Sequence, residues 1–169
     1  MSAAESVSPF RPPPQTVEDQ WLDFNGHMNM AFYNVAFDRN LDAFFRHLGI
    51  GERYGEERRL SFFTAEIHVV YKRELPPRAP IASTIRLAGL DGKRIVMFGE
   101  LFHGTEGYLS ATSEQLLLHV HLDERRVVPI PDDVYRVLKA EYERTAVLGR
   151  PEALGRSVMR LEPRPSEAL

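Results

Sequence analysis

The sequence predicts a single α+β domain in which a curved antiparallel sheet wraps one long central helix and a second helix closes the C-terminal end. Three observations carry this reading. Met30, Tyr33, Phe37, Leu41, Phe44 and Leu48 recur at helical spacing. Between Phe62 and Leu122 the pattern turns to strand-like alternation, broken by turn signals at Pro76-Pro77, Asp91-Gly92 and Thr105-Glu106-Gly107. One helix cannot cover a sheet of that size unless the sheet curls around it.

Residues 1–14 end in Pro12-Pro13-Pro14 and read as a disordered, extended leader. Residues 15–22 read as a short first strand, and Asp23-Phe24-Asn25-Gly26-His27 as a turn. Asn29 is a good N-cap for the long helix, and Gly49 is its stop signal. The first half of that helix, Met30 to Phe37, is apolar on nearly every side, so something must enclose it. In the strand Phe62–Glu74, strict alternation puts Ala65, Ile67, Val69 and Tyr71 on one face and Thr64, Glu66, His68 and Lys72 on the other. Ile81–Leu90, Ile95–His103 and Tyr108–Leu122 continue the meander, with a hairpin at Asp91-Gly92. Pro131-Asp132-Asp133 starts a last helix running to Thr145. The domain therefore spans 15–148, and 149–169, with three Pro and two Gly among charges, reads as a flexible tail. A half-wrapped sheet leaves an edge and an open flank, which a second copy would cover economically.

Composition narrows the function. The 169 residues carry a formal net charge of -3, which gives no electrostatic footprint for nucleic acid. There is no cysteine, so disulfides, Cys-based zinc sites and cysteine nucleophiles are excluded. No apolar run approaches the roughly 20 residues needed to span a bilayer. The leader lacks the apolar core of a secretory signal, which makes the cytoplasm the expected location. Gly49-Ile50-Gly51-Glu52-Arg53-Tyr54-Gly55 imitates a dinucleotide loop, but it has one residue too many and follows a helix. Neither a Gly-x-Ser-x-Gly elbow nor a Walker loop occurs. His119 and His121 alternate like metal ligands without an evident third, so no metal is expected.

The segment Trp21-Leu-Asp-Phe-Asn-Gly-His-Met-Asn-Met-Ala-Phe-Tyr33, followed by a helix and the strand Thr64-Ala-Glu-Ile-His-Val-Val-Tyr71, resembles the hotdog-fold acyl-CoA thioesterases of the 4-hydroxybenzoyl-CoA thioesterase type. The likeness covers residues 15 to 130, and its most specific part is Asp23, Gly26, His27 and Asn29. Within that group, Asn-Gly-His-Met-Asn and the later Leu-Leu-Leu-His-Val resemble the thioesterases found with carnitine-degradation genes, which are associated with betainyl-CoA. The resemblance implies a homodimer or a tetramer of dimers with active sites between subunits. It matches the catalytic carboxylate to Asp23, and the backbone N–H that polarises the thioester carbonyl to a position near Met30. It implies no cofactor beyond the coenzyme A of the substrate.

The residues permit that chemistry on their own terms. The first N–H groups of a helix lack intrahelical partners, and the helix dipole adds positive charge, so together they favour a developing oxyanion. A tight turn could bring the Asp23 carboxylate back to that point, to attack the carbonyl or to deprotonate a water. Thiolate leaves readily, so no strong general acid is needed. Each residue also has a plainer role. Asp23 could simply cap its turn. Asn25 either supplies left-handed geometry before Gly26 or holds substrate or water. His27 orients Asp23, donates to substrate, or is satisfied within the turn. Asn29 is a cap or a ligand contact. Glu66 and His68 share a strand face, as an acid–histidine pair or as a solvated or subunit-contact face. For a quaternary ammonium substrate, Glu66 with Trp21, Phe24 and Tyr33 would be the natural partners. The doublets Arg58-Arg59, Lys72-Arg73 and Lys93-Arg94 are candidates for the CoA phosphates or ordinary surface charge.

Two other functions fit the same fold. Asp23-x-Asn25-x-His27 resembles the Asp-x-Asn-Pro-x-His signature of hotdog enoyl-CoA hydratases, but the histidine is one residue too close and the proline is missing. A non-enzymatic acyl-CoA-binding module would keep the groove and need no Asp23.

Overall fold

A computed structural model describes residues 7–158. In chain order it contains β1 (Gln15–Thr16), α1 (Met30–His47), α2 (Glu52–Arg58), β2 (Leu60–Tyr71), β3 (Pro80–Leu90), β4 (Arg94–His103), β5 (Leu109–His121), β6 (Arg126–Val127) and α3 (Asp132–Ala146). The sheet is antiparallel with order β1-β3-β4-β5-β2, and β6 adds to the end of β5. This is the expected α+β architecture of a curled sheet around one long helix. No helix among the described residues is long and apolar enough to cross a membrane.

The concave face follows from strand alternation. Ile81, Ile85 and Leu87 of β3, Ile95, Met97 and Leu101 of β4, and Ala111 and Leu117 of β5 are buried, and the register aligns them across the strands. Phe37, Leu41, Phe44 and Phe45 of α1 fill this concavity. Gly99 marks the closest approach, since a Cβ there would lie 3.1 Å from Phe37 Cδ1. Val134 and Leu138 of α3 close the end of the core near the C-terminus of α1.

The structure corrects four expectations. The first strand is only Gln15–Thr16, because the chain turns at Asp19–Trp21 to bury Trp21 against Phe32. An unforeseen helix, α2, begins inside the rejected glycine-rich stretch; its seven residues bury one apolar side chain, Tyr54, and are too short to show a period. In β2 the register shifts between Thr64 and Glu66, so Ala65 is a bulge. Thr64 then pairs with Leu117 on the concave side, together with Ile67, Val69 and Tyr71, while Glu66 and His68 pair with Leu116 and Glu114 on the convex side. Finally, the first half of α1 is not enclosed within one chain. Met30 is 60% exposed and Val35 is exposed, because a single sheet covers only one flank of the helix. Residues 149–156 run along the convex face, where Arg86 donates to Gly149 O and Gly155 N–H donates to a Glu114 carboxylate oxygen.

Candidate active site

The turn before α1 is a tight hairpin. Leu22 pairs with Met28, Asp23 N–H donates to His27 O at 3.1 Å, and Gly26 N–H donates to Asp23 O at 3.0 Å. Gly26 sits at φ +82°, where a side chain would be strained. The hairpin is tied down on both sides, by Asn29 N–H to Trp21 O at 2.8 Å and by Met28 N–H to Leu75 O at 3.0 Å. It folds half-buried Asp23 back along the approach to α1. Asp23 Oδ1 accepts the Asn25 N–H at 2.8 Å, and its Oδ2 faces Asn25 Nδ2 at 3.4 Å. The carboxylate therefore shapes its own turn while keeping lone pairs free. Asn25 is its partner within the turn.

Asn29 caps the helix, since its Oδ1 accepts Ala31 N–H at 2.9 Å and its carbonyl accepts Phe32 N–H at 3.0 Å. Among the described residues this leaves the Met30 N–H without a partner at the positive end of an 18-residue helix. The Met30 carbonyl accepts the Tyr71 hydroxyl at 3.1 Å, which anchors the first helical turn to the end of β2.

Other residues named from the sequence are placed differently. His27 does not bond Asp23. Its Nδ1 lies 3.4 Å from Met28 O, and its Nε2 lies 3.5 Å from a carboxylate oxygen of Glu74. Glu74 went unnoticed because nothing in its local pattern links it to His27, 47 positions away in neither repeat nor motif. Tyr33 is buried, with its ring edge-on to Tyr71 at 5.1 Å and its hydroxyl accepting Leu75 N–H at 3.2 Å. Trp21 is covered by Phe32, and Arg39 lies 4.8 Å over its ring, so the chain's own cation occupies that aromatic face. Phe24 is 97% exposed at the tip of the turn. Glu66 and His68 remain neighbours, but on the convex face, away from the start of α1. Within one chain, the proposed ammonium partners therefore do not converge.

Most of the basic doublets are already paired. Arg58 binds Asp133, Arg59 binds Asp123, Arg94 binds Asp91, and Arg73 lies over the Tyr108 ring and near Glu106. His119 is buried. Its Nδ1 donates to Val128 O at 3.1 Å and its Nε2 accepts the Tyr54 hydroxyl at 2.8 Å, while His121 lies apart near Glu124. Two large clefts among the described residues lie elsewhere than Asp23, one of about 680 Å³ where α1 ends against α2 and α3, and one of about 590 Å³ on the convex face.

The family description "Thioesterase-like superfamily" matches residues 17–138. A betainyl-CoA thioesterase of Pseudomonas aeruginosa is 34% identical over 139 residues, which cover 82% of this chain and 87% of that protein. An L-carnitine dehydrogenase/betainyl-CoA thioesterase of Rhizobium meliloti is 32% identical over 154 residues, covering 91% of this chain and 31% of that longer protein. A Staphylococcus aureus protein solved in complex with CoA superposes with a TM-score of 0.84 at 26% identity, covering 95% of this chain and 100% of its own. The chain belongs to the thioesterase-like superfamily and is a thioester hydrolase with the hotdog fold.

Proposed function

We propose that the protein hydrolyses the thioester of a small acyl-CoA, with betainyl-CoA as the leading substrate, to release the free acid and CoA. The observation that carries this reading is the pairing of a turn-held carboxylate, Asp23, with a helix start whose Met30 N–H has no partner among the described residues. The thioester carbonyl oxygen would take that N–H, and Asp23 would attack the carbonyl carbon or activate a water. A donor of this kind is worth about 3 kcal/mol in the barrier. No cofactor is called for, since the thiolate leaves unaided. The betainyl group is supported by the identity to the Pseudomonas aeruginosa enzyme over most of both chains.

Self-association supports the same site. Met30 and Val35 on the open flank of α1, with Ile67 and Tyr71 on the concave side of β2, are exposed apolar side chains, and β2 is an edge strand of twelve residues. A second copy would cover both and wall the helix entrance.

The test is thiol release from a panel of acyl-CoAs that includes betainyl-CoA and its neutral isostere, 3,3-dimethylbutyryl-CoA. Asp23→Asn keeps an oxygen for the Asn25 N–H and so keeps the turn. It should lower turnover by about 10²–10⁴-fold with folding intact. Full activity in Asp23→Asn would remove the mechanism, and equal rates on the two isosteres would remove the cationic substrate.

A further inference from the structure

The convex face carries a second constructed site. The outer sides of β3, β4 and β5 form its floor, with Arg86, Phe98 and Thr112, and residues 151–156 form a wall. The wall is pinned at both ends, since Arg86 Nη1 donates to Gly149 O at 2.9 Å and Gly155 N–H donates to Glu114 Oε2 at 2.6 Å. The enclosed space is about 590 Å³, within the size range of small-ligand sites.

What marks the cleft is the gathering of its charges. Many surface arginines are held by carboxylates, as Arg58 is by Asp133, Arg59 by Asp123 and Arg78 by Asp19, whereas Arg136 and Arg150 bond only backbone carbonyls among the described residues. Lys72, Arg86 and Arg156 all line this cleft, and among the described residues none of them forms an ion pair. Two carboxylates share the space. Glu100 accepts the Thr84 hydroxyl at 2.8 Å, and Glu152 sits on the wall. Within the cleft's own lining three cations face two carboxylates, and on its other side Arg156 borders Glu66 and Glu114. Burial also pushes the Arg86 guanidinium below its usual pKa, a penalty that a bound anion would relieve. Three cations around one space suit a group with several charged oxygens and fork-shaped acceptors, which describes phosphate better than a single carboxylate.

We propose that the cleft between the convex face and residues 151–156 binds a phosphate-bearing anion through Lys72, Arg86 and Arg156. Lys72 directly follows Tyr71, whose hydroxyl anchors Met30, so the cleft and the helix entrance meet at the end of β2 from opposite faces. The phosphate could come from the nucleotide end of CoA, which rests on the acyl-CoA reading above, or from a free phosphate compound, which does not.

The deciding variant is Lys72→Gln, because the Lys72 ammonium makes no hydrogen bond or ion pair among the described residues and its loss leaves the fold intact. Arg86→Gln also frees Gly149 O and serves as a second variant. Titration calorimetry on the full chain would compare inorganic phosphate, adenosine 3′,5′-bisphosphate and CoA. The bisphosphate should bind, weaken with added salt, and weaken about tenfold in Lys72→Gln but little in Lys72→Arg. CoA binding that shares this loss assigns the phosphate to the nucleotide of CoA. Inorganic phosphate that binds as well as the bisphosphate, with the same loss, assigns the site to free phosphate. Failure of both the bisphosphate and CoA to bind, or binding unchanged in both Lys72→Gln and Arg86→Gln, overturns the site. Thiol release measured on the same preparations reports separately on hydrolysis, so an active enzyme with unchanged CoA binding in these variants loses this proposal alone.

Discussion

Replacing Tyr33 by Phe removes one oxygen atom from the core and should reach the active site. Leu75 is fully buried, and its N–H donates to the Tyr33 hydroxyl at 3.2 Å with no other partner among the described residues. Leaving that N–H unmet costs about 1–3 kcal/mol. For a chain of this size, each kcal/mol lowers Tm by about 2–4 °C, so the expected fall is about 2–12 °C. The ring remains, so its edge-on contact with Tyr71 is kept. The functional effect runs through the other side of the same residue, because Leu75 O accepts Met28 N–H at 3.0 Å and so holds the hairpin that carries Asp23. A misplacement of about 1 Å can cost up to about 10²-fold in rate. We therefore expect kcat to fall about tenfold or more, with KM nearly unchanged. Thiol-release kinetics well below Tm, with a denaturant titration, read both effects. Ile95→Val is the control, since it loses about 0.5–1.5 kcal/mol in the core without touching the hairpin. Unchanged stability in Tyr33→Phe, or an equal loss of kcat in Ile95→Val, would refute this chain of contacts.

Three further outcomes are expected. Asn29→Ala removes the oxygen that accepts Ala31 N–H and should lower stability by about 1 kcal/mol in urea unfolding, whereas Asn29→Ser should restore most of it. Gly99→Ala places a Cβ 3.1 Å from Phe37 Cδ1 and should destabilise by about 1–3 kcal/mol, with Phe37→Leu in the same chain recovering part of the loss. His119 is held neutral by burial, which lowers its pKa, so it takes up a proton only on unfolding as pH drops. The stability it contributes is complete above its unfolded pKa of about 6.5 and is lost as pH falls from there through the lower folded pKa. Urea midpoints measured from about pH 7.5 to about pH 5 should decline, and less steeply in His119→Gln; equal slopes would remove His119 as the cause.

The parts of the fold that were legible in the sequence are those where one period runs unbroken. α1 shows its apolar stripe, its Asn29 cap and its Gly49 stop, and strong turn residues bound β3 to β5, although the register shifts at Ala88 and at Ser110 went unannounced. The turn at Asp23 was legible because Asn25-Gly26 is a local signal, and Asn29 is the cap it was read to be. What was not legible depends on contacts between distant segments. The bulge at Ala65 carries no Gly or Pro to announce it, yet it reverses the face of Thr64 relative to the residues that follow. Glu66 and His68 keep the face opposite Ile67, Val69 and Tyr71 that alternation predicts, but only the fold shows this to be the convex side, away from the helix entrance. Arg39 over Trp21 and Glu74 beside His27 likewise join segments 18 and 47 residues apart, by folding alone. The passage of residues 149–156 across the convex face leaves no period at all, because its anchors are a backbone carbonyl and a backbone N–H.

The apolar first half of α1 and the open entrance to the proposed site are one physical fact. The sheet of one chain fills the concave flank of α1 with Phe37, Leu41 and Phe44 but leaves Met30 and Val35 facing outward. Where a helix-start N–H faces water, a hydrogen bond to an oxyanion exchanges against solvent and gains little. The value of such a donor rises when water is excluded, since the interaction then acts in a low dielectric and needs no solvent to reorganise. Covering Met30, Val35, Ile67 and Tyr71 with a second copy would bury apolar surface and dry the N–H in a single step. In the proposed pair, stability and the polarising role proposed for the helix start would draw on the same residues. On the proposed mechanism, a chain that folds alone with this flank open would retain the carboxylate and the donor but lack the enclosure that gives the donor its strength.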